Sequence, residues 1–321
     1  MDAAKLVEAY GVIPVIAITE VRHAVPLATA LIEGGLPLIE VTLRTNAALD
    51  SIIAIKKKFP EMLVGAGTVL RREQVDEALK AGADFIVSPG HNPAVSSYCK
   101  QKQIPIFPGC TTTSEIEGGI ETGLSIFKFF PAEQQGGIKA IELLSGPYPN
   151  IKFIPTGGIT YANLATYLSC DAVAACGGSF MAPKSDIEAE NWDKISKNCK
   201  KAMDISLGFE LAHIGINHAN EDEALKTADS FCDLFRLPVK VGSSSIFAGT
   251  AVECMKSKYY GERGHIGFLT NSTLRAKAFF VQNGVKIRED TIRLDQNGKI
   301  ISFYFEEEIM GFAVHVVRRS K

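Results

Sequence analysis

The chain has 321 residues, 46% of them hydrophobic and 22% charged, with a formal net charge of -2. That length admits one large domain or two smaller ones, and the composition is that of an ordinary globular protein. A near-neutral charge gives no electrostatic reason to expect a nucleic acid or an anionic membrane surface, which leaves small molecules or further copies of the chain as partners. No stretch approaches the roughly 20 apolar residues of a membrane span. The opening Met1-Asp2-Ala3-Ala4-Lys5 lacks the basic flank and apolar run of a signal peptide. Seven cysteines, with no C-x-x-C pair, read as reduced and mostly buried thiols in a cytoplasmic protein.

Up to about residue 200 one rhythm repeats: a short apolar run, a small-residue turn, then a segment of helical period. The strand-like runs are Val12–Ile18, Leu38–Leu43, Met62–Thr68, Phe85–Ser88, Ile104–Pro108, Ile126–Phe130, Ile151–Thr156 and Ala172–Cys176. Helices are expected at Arg22–Glu33, Ala47–Lys58, Arg72–Ala81 and Gly137–Leu144 among others. Eight β/α units whose strands are apolar on both faces point to an all-parallel sheet covered by helices, and eight is the number that closes a (β/α)8 TIM barrel. An open doubly wound sheet is the alternative. A last helix is expected over Ser185–Ala202, with Asp186 as its cap and Trp192 on its apolar side.

The rhythm then changes, which puts a domain boundary near residue 205 (1–204 and 205–321). Phe209–Ile216 reads as a strand, Glu221–Phe235 as a helix and Ser244–Met255 as one or two strands. A second pass follows in Gly264–Leu269, a helix Leu274–Asn283, and strands Thr291–Leu294, Lys299–Phe305 and Phe312–Val317, with a hairpin signal at Asn297-Gly298. Ala212-His213-Ile214-Gly215-Ile216 is echoed by Gly264-His265-Ile266-Gly267-Phe268. The expectation is a smaller α+β domain built from a duplicated βαβββ unit.

In a parallel barrel the chemistry sits at the carboxyl ends of the strands. Alternation along Leu38–Arg44 puts Glu40, Thr42 and Arg44 on one face, where three polar groups on a buried strand each need a partner. A structural Glu40–Arg44 pair would provide one. Lys128, flanked by Phe127, Phe129 and Phe130, lies in the middle of another interior strand. Lysines are rarely buried, and an amine held near neutrality by desolvation is the nucleophile that Schiff-base chemistry requires. The alternative is a lysine whose stem packs while its head reaches a carboxylate. Gly157-Gly158 and Gly177-Gly178-Ser179 follow the last two strands, where barrels often cradle a phosphate on backbone N–H groups.

The runs Ile39-Glu40-Val41-Thr42-Leu43-Arg44-Thr45, Gly65-Ala66-Gly67-Thr68-Val69-Leu70, Phe85-Ile86-Val87-Ser88-Pro89-Gly90, Phe127-Lys128-Phe129-Phe130-Pro131-Ala132-Glu133, Pro155-Thr156-Gly157-Gly158-Ile159 and Gly177-Gly178-Ser179 resemble the bacterial 2-keto-3-deoxy-6-phosphogluconate / 2-keto-4-hydroxyglutarate aldolases over residues 5–185. The resemblance implies a class I aldolase on a homotrimeric barrel that needs no cofactor and acts on a 2-keto-3-deoxy sugar acid to release pyruvate. It implies Lys128 as the Schiff-base lysine and Glu40 as the general acid/base. Arg44 and Thr68 would hold the pyruvate carboxylate, Phe130 and Thr156 would contact substrate, and Gly157, Gly158, Gly177, Gly178 and Ser179 would hold phosphate. The chain departs from the usual family pattern at Gly109-Cys110-Thr111-Thr112-Thr113-Ser114-Glu115 and at Phe180, where tryptophan is common.

The duplicated unit resembles the vicinal-oxygen-chelate superfamily, which places metal ligands on the first and last strands of each module. That resemblance implies His213 and Glu253 from one module and His265 and His315 from the other, a set that suits divalent zinc, nickel or iron. A carboxylate more often stands where this chain has His315. The alternative is a metal-free binding or assembly module with packed histidines. His23, His91 and His218 are expected on loops or helix surfaces.

Overall fold

The computed structural model describes residues 3–319. Its contacts divide the chain into two compact units between Ser206 and Leu207, at the end of the helix Trp192–Leu207.

Eight parallel strands build the first unit: β1 Val12–Ile16, β2 Leu38–Thr42, β3 Leu63–Gly67, β4 Phe85–Ser88, β5 Ile106–Pro108, β6 Ile126–Phe129, β7 Lys152–Pro155 and β8 Cys176–Gly178. Every residue of β2, β3 and β4 is buried, which explains why β3 and β4 read as nearly unbroken apolar runs, while β2 alternates because Glu40 and Thr42 share one of its buried faces. The ladder runs β5-β4-β3-β2-β1-β8, and β6 pairs with β7. Single parallel bridges Gly109–Lys128 and Thr156–Gly177 join these two sheets on both sides, so the ring is closed and the open-sheet alternative falls. The unit is a (β/α)8 barrel.

Helices around the ring start on local signals. The helix α6 (Thr113–Glu121) opens with a capping box, in which the Thr112 hydroxyl accepts from the Glu115 N–H at 3.4 Å and the Glu115 carboxylate accepts from the Thr112 N–H at 2.9 Å. Asn92 caps the helix Pro93–Gln101, and the proline costs nothing there because its N–H would have no helical partner.

Three expectations need correction. The eighth strand is Cys176–Gly178, not Ala172–Cys176; Asp171 and Ala172 lie in a turn and Val173 makes one bridge to Phe153. Ser185–Ala202 is not one helix but two, Lys184–Glu188 and Trp192–Leu207, broken where Glu190 takes φ +53°. Asp186 does not cap; its carboxylate accepts from Asn191 and from Lys194. His23, expected on the surface, is 1% exposed and packs against the Trp192 ring.

The second unit is one eight-stranded sheet, from β9 Glu210–Asn217, β10 Val239–Val241, β11 Ser245–Ala248, β12 Val252–Met255, β13 Gly264–Thr270, β14 Ile287–Leu294, β15 Ile300–Phe305 and β16 Phe312–Arg318. The order is β10-β11-β12-β9-β13-β16-β15-β14, with β9 and β13 antiparallel at the centre. The helices α11 (Glu221–Phe235) and α12 (Thr273–Gln282) start on Asn220 and Ser272, whose side chains accept from the Glu223 and Arg275 N–H groups. Ala224 and Ala228 of α11 pack on Ile246, Val252 and Cys254. By strand alternation Phe247 and Glu253 then point to the opposite face. The edge strand β10 has all three residues exposed, so no alternation announces it in the sequence.

Among the described residues no helix is long and apolar enough to cross a membrane. Five cysteines are buried, and burial pushes the thiols of Cys99, Cys110 and Cys199 up to about 12.

Candidate active site

Glu40 stands in the middle of β2 and Lys128 near the end of β6, 3% and 7% exposed. The Lys128 ammonium donates to both carboxylate oxygens, at 3.0 and 3.3 Å. Two buried opposite charges in contact satisfy each other, which is the condition for their being there at all. Gly67 on β3 makes the room: a Cβ at that position would lie 2.2 Å from the Glu40 Oε1.

The expected wall of phenylalanines is not what surrounds the amine. Phe127 and Phe129 alternate outward, Phe127 against Gly119 of α6 and Phe129 edge-on to Phe153 at 5.9 Å. Only Phe130, beyond the strand end and 41% exposed, brings its ring near, 5.7 Å from the Lys128 Nζ. The expected alternative of a Glu40–Arg44 tie is also absent. Arg44 donates to the Thr42 hydroxyl at 3.2 Å, and that hydroxyl donates to the Ile16 carbonyl.

Glu40 and Lys128 line a cavity of about 440 Å³ at the carboxyl ends of the strands. Arg44, Thr68, Phe130, Thr156, Gly157, Gly158, Gly178 and Ser179 line it too, so nearly every barrel residue singled out in the sequence converges there. Thr68 adopts φ +62°, a conformation rare for a β-branched residue and of the kind that persists where the surroundings impose it. Gly157 and Gly158 take φ +92° and +81°, and a Cβ on Gly158 would meet the Glu133 side chain at 2.4 Å. Tyr167, buried at 1% exposure, donates its hydroxyl to the Glu133 carboxylate.

Gly177 is the exception. It does not line the cavity; it lies in β8, where a Cβ would collide with the Thr156 hydroxyl at 2.5 Å, so its role is to let that threonine in. Sequence reasoning left Pro89 and Lys184 unassigned, although both line the cavity. Pro89 follows β4 directly, so the rule that chemistry sits after barrel strands was signal enough. Lys184 follows the eighth strand at greater distance, and nothing local marked it.

In the second unit the four residues singled out as metal ligands come together. Ligand nitrogens of His213, His265 and His315 lie within 4.8 Å of one another. The Glu253 Oε2 is 3.3 Å from the His213 Nε2 and 3.1 Å from the His265 Nε2, and the His213 and His315 Nε2 atoms are 3.1 Å apart. The register explains the convergence. Across the central pair His265 stands opposite Gly215 and His213 opposite Gly267. Glu253 flanks Gly215 on the other side and His315 flanks Gly267. Each imidazole thus lies over a glycine: a Cβ on Gly215 would meet the His265 ring at 1.9 Å, and one on Gly267 the His315 Nε2 at 2.6 Å.

The electrostatics follow from burial. Desolvation pulls His213 below its ordinary range against the opposing pull of Glu253. His315 falls to about 3, through burial first and then its two histidine neighbours. Burial raises Glu253, but hydrogen bonds from His265 and Ser245 and the charges of the imidazoles outweigh it and leave the group lowered. The downward shifts favour neutral rings at His213 and His315 and an ionised Glu253, the forms that bind a metal ion.

Residues 4–198 match the protein family described as "Aldolase: KDPG and KHG aldolase". The KHG/KDPG aldolase of Escherichia coli K12 is 45% identical over 193 residues, 60% of this chain and 91% of the relative. A 2-dehydro-3-deoxy-phosphogluconate aldolase of Pseudoalteromonas atlantica is 47% identical over 192 residues, 60% and 89% of the two chains. Among solved structures, the KDPG aldolase of Legionella pneumophila, captured with pyruvate as a covalent carbinolamine, superposes with a TM-score of 0.61 at 40% identity, covering 62% of this chain and 97% of that one. The chain belongs to the KDPG and KHG aldolase family.

Proposed function

We propose that the barrel cleaves 2-keto-3-deoxy-6-phosphogluconate to pyruvate and glyceraldehyde 3-phosphate, 4-hydroxy-2-oxoglutarate to pyruvate and glyoxylate, or both. The chain is an enzyme, a class I aldolase. The observation that carries the residue assignment is the contact between the Lys128 amine and the Glu40 carboxylate, in a cavity also lined by Arg44, by Thr68 at positive φ and by Gly157 and Gly158.

Lys128 gives its proton to Glu40, and the free amine adds to the C2 ketone. Glu40 then returns that proton to the carbinolamine hydroxyl, which leaves as water, so an iminium forms and the carboxylate is free again. Glu40 takes the C4 hydroxyl proton as the C3–C4 bond breaks; the bonding pair flows to the iminium nitrogen and the aldehyde departs. Glu40 returns a proton to C3 of the enamine, and water then releases pyruvate and the amine. Arg44 and Thr68 hold the keto-acid carboxylate, Phe130 and Thr156 contact the substrate, and the N–H groups around Gly157, Gly158, Gly178 and Ser179 receive the phosphate. Pyruvate release from the gluconate-derived substrate, its galactonate epimer and 4-hydroxy-2-oxoglutarate, measured in parallel on the full chain, tests the reading. Absence of pyruvate with all three would reject it. As part of the same reading the barrel assembles as a homotrimer in the cytosol.

A second reading concerns residues 205–321, as a vicinal-oxygen-chelate domain of duplicated βαβββ units. The donor set fits a divalent metal: three imidazoles and a carboxylate converge, with the Nε2 atoms of His213 and His265 against the Glu253 carboxylate and that of His315 against the His213 Nε2. His213, Glu253, His265 and His315 would hold the ion, which would supply Lewis-acid chemistry when bound. Bifunctional enzyme and ligand-sensing module are the two forms of this reading. Metal analysis of the purified protein, with His213→Ala and His265→Ala as controls, tests it; a metal content unchanged in both variants would reject the site.

A further inference from the structure

The histidine cluster is not alone on its face of the sheet. Tyr304 on β15 is paired in register with His315 and stacks on it, ring centroids 4.5 Å apart at 15°. The Tyr259 ring sits 6.2 Å from both His265 and Tyr304. Arg293 on β14 stands in register opposite Ser302, two residues from Tyr304 along the same face. Its guanidinium donates to the Tyr259 hydroxyl at 3.2 Å. Among the described residues Arg293 has no ion pair, whereas its neighbour Arg288 pairs with Asp290 and stacks on Tyr260.

A divalent ion held by one carboxylate and three neutral imidazoles keeps a net charge of +1, and an unpaired guanidinium beside it adds another. A site of that charge, walled by tyrosine rings, selects an anion. A neutral ligand would leave Arg293 idle, and a guanidinium is the side chain best shaped to take a carboxylate in two parallel hydrogen bonds. We propose that Arg293, anchored by Tyr259, recognises the carboxylate of the ligand taken by the second unit, a small carboxylic acid whose further oxygen function reaches the metal. The proposal rests on the metal reading of His213, Glu253, His265 and His315.

The test uses the full-length protein loaded with Co²⁺, whose visible bands report on the metal site and not on the barrel. L-Lactate, an anion unable to form a Schiff base, and neutral lactamide are the probes. Wild-type protein is expected to shift its cobalt bands with lactate at lower concentration than with lactamide. Arg293→Gln is expected to bind cobalt with unchanged stoichiometry yet lose about tenfold to a hundredfold in lactate affinity, as removal of a charged hydrogen bond requires, with partial rescue in Arg293→Lys. Because Arg293 is exposed, an unaltered thermal midpoint and cobalt content certify the fold. Lactate binding to Arg293→Gln within twofold of wild type, or equal binding of lactate and lactamide, would overturn the role of Arg293 while leaving the metal site standing. Failure of the wild type to take up stoichiometric cobalt would overturn the metal reading and this inference together.

Discussion

On the proposed mechanism, Glu40→Gln separates the two jobs of that carboxylate, structural partner and proton carrier. In the native protein the carboxylate accepts from the Lys128 ammonium at 3.0 and 3.3 Å, and both groups are more than nine-tenths buried. Glutamine keeps the shape and one acceptor oxygen but neither the charge nor the ability to carry a proton. Stripping one partner from a buried pair typically costs about 3–5 kcal/mol, and the retained amide oxygen places the expected loss at the lower end, about 3 kcal/mol. The catalytic loss has a separate origin: positioned acid–base catalysis is worth about 10²–10⁴-fold, or about 2.7–5.4 kcal/mol of barrier. Urea denaturation reads the first number. Exchange of the pyruvate methyl protons with deuterium reads the second, because it needs only the enamine and its reprotonation. Exchange in Glu40→Gln within threefold of the wild-type rate would refute the reasoning, since Glu40 could not then be the group that protonates C3.

Gly67→Ala places a Cβ 2.2 Å from the Glu40 Oε1 without touching Lys128 chemically. Overpacking should cost about 1–3 kcal/mol, and kcat should fall by tenfold or more because the carboxylate must move; denaturation and steady-state kinetics check both. Thr68→Gly relieves the φ +62° strain and removes a hydroxyl from the cavity. A gain or near-neutral change in stability, offset by glycine's greater unfolded-state entropy, should accompany a rise in KM for pyruvate in the exchange assay. Gly267→Ala puts a Cβ 2.6 Å from the His315 Nε2 and, on the proposed metal reading, should abolish metal uptake while His213, Glu253, His265 and His315 all remain, which metal analysis reads directly.

Much of this architecture is legible in the sequence, for physical reasons that also explain the failures. Strands buried on both faces announce themselves as apolar runs, so β2, β3 and β4 could be placed to within a residue or two. Lys128 stood out because a cation amid apolar residues demands a reason. Its true surroundings did not, because alternation sends Phe127 and Phe129 outward and the partner carboxylate lies 88 residues away in sequence. The eighth strand was misplaced because Ala172–Ala175 are small and apolar while the strand itself is glycine-rich. The exposed edge β10 carried no buried face to impose a period. His23 was missed for a related reason: its burial depends on Trp192, far along the chain, and no local pattern encodes it. Gly177 shows the same limit, since a glycine that cradles a ligand and one that admits a neighbouring threonine look alike until the packing is seen.

The most direct measurement is reductive trapping: wild-type protein and Lys128→Ala are each incubated with pyruvate and borohydride, digested, and mapped by mass spectrometry. A single pyruvate-derived adduct on the peptide carrying Lys128, absent from the variant, is the expected result. Labelling of the Lys128→Ala protein at wild-type extent, or an adduct on any other lysine, would contradict the assignment of Lys128 as the nucleophile.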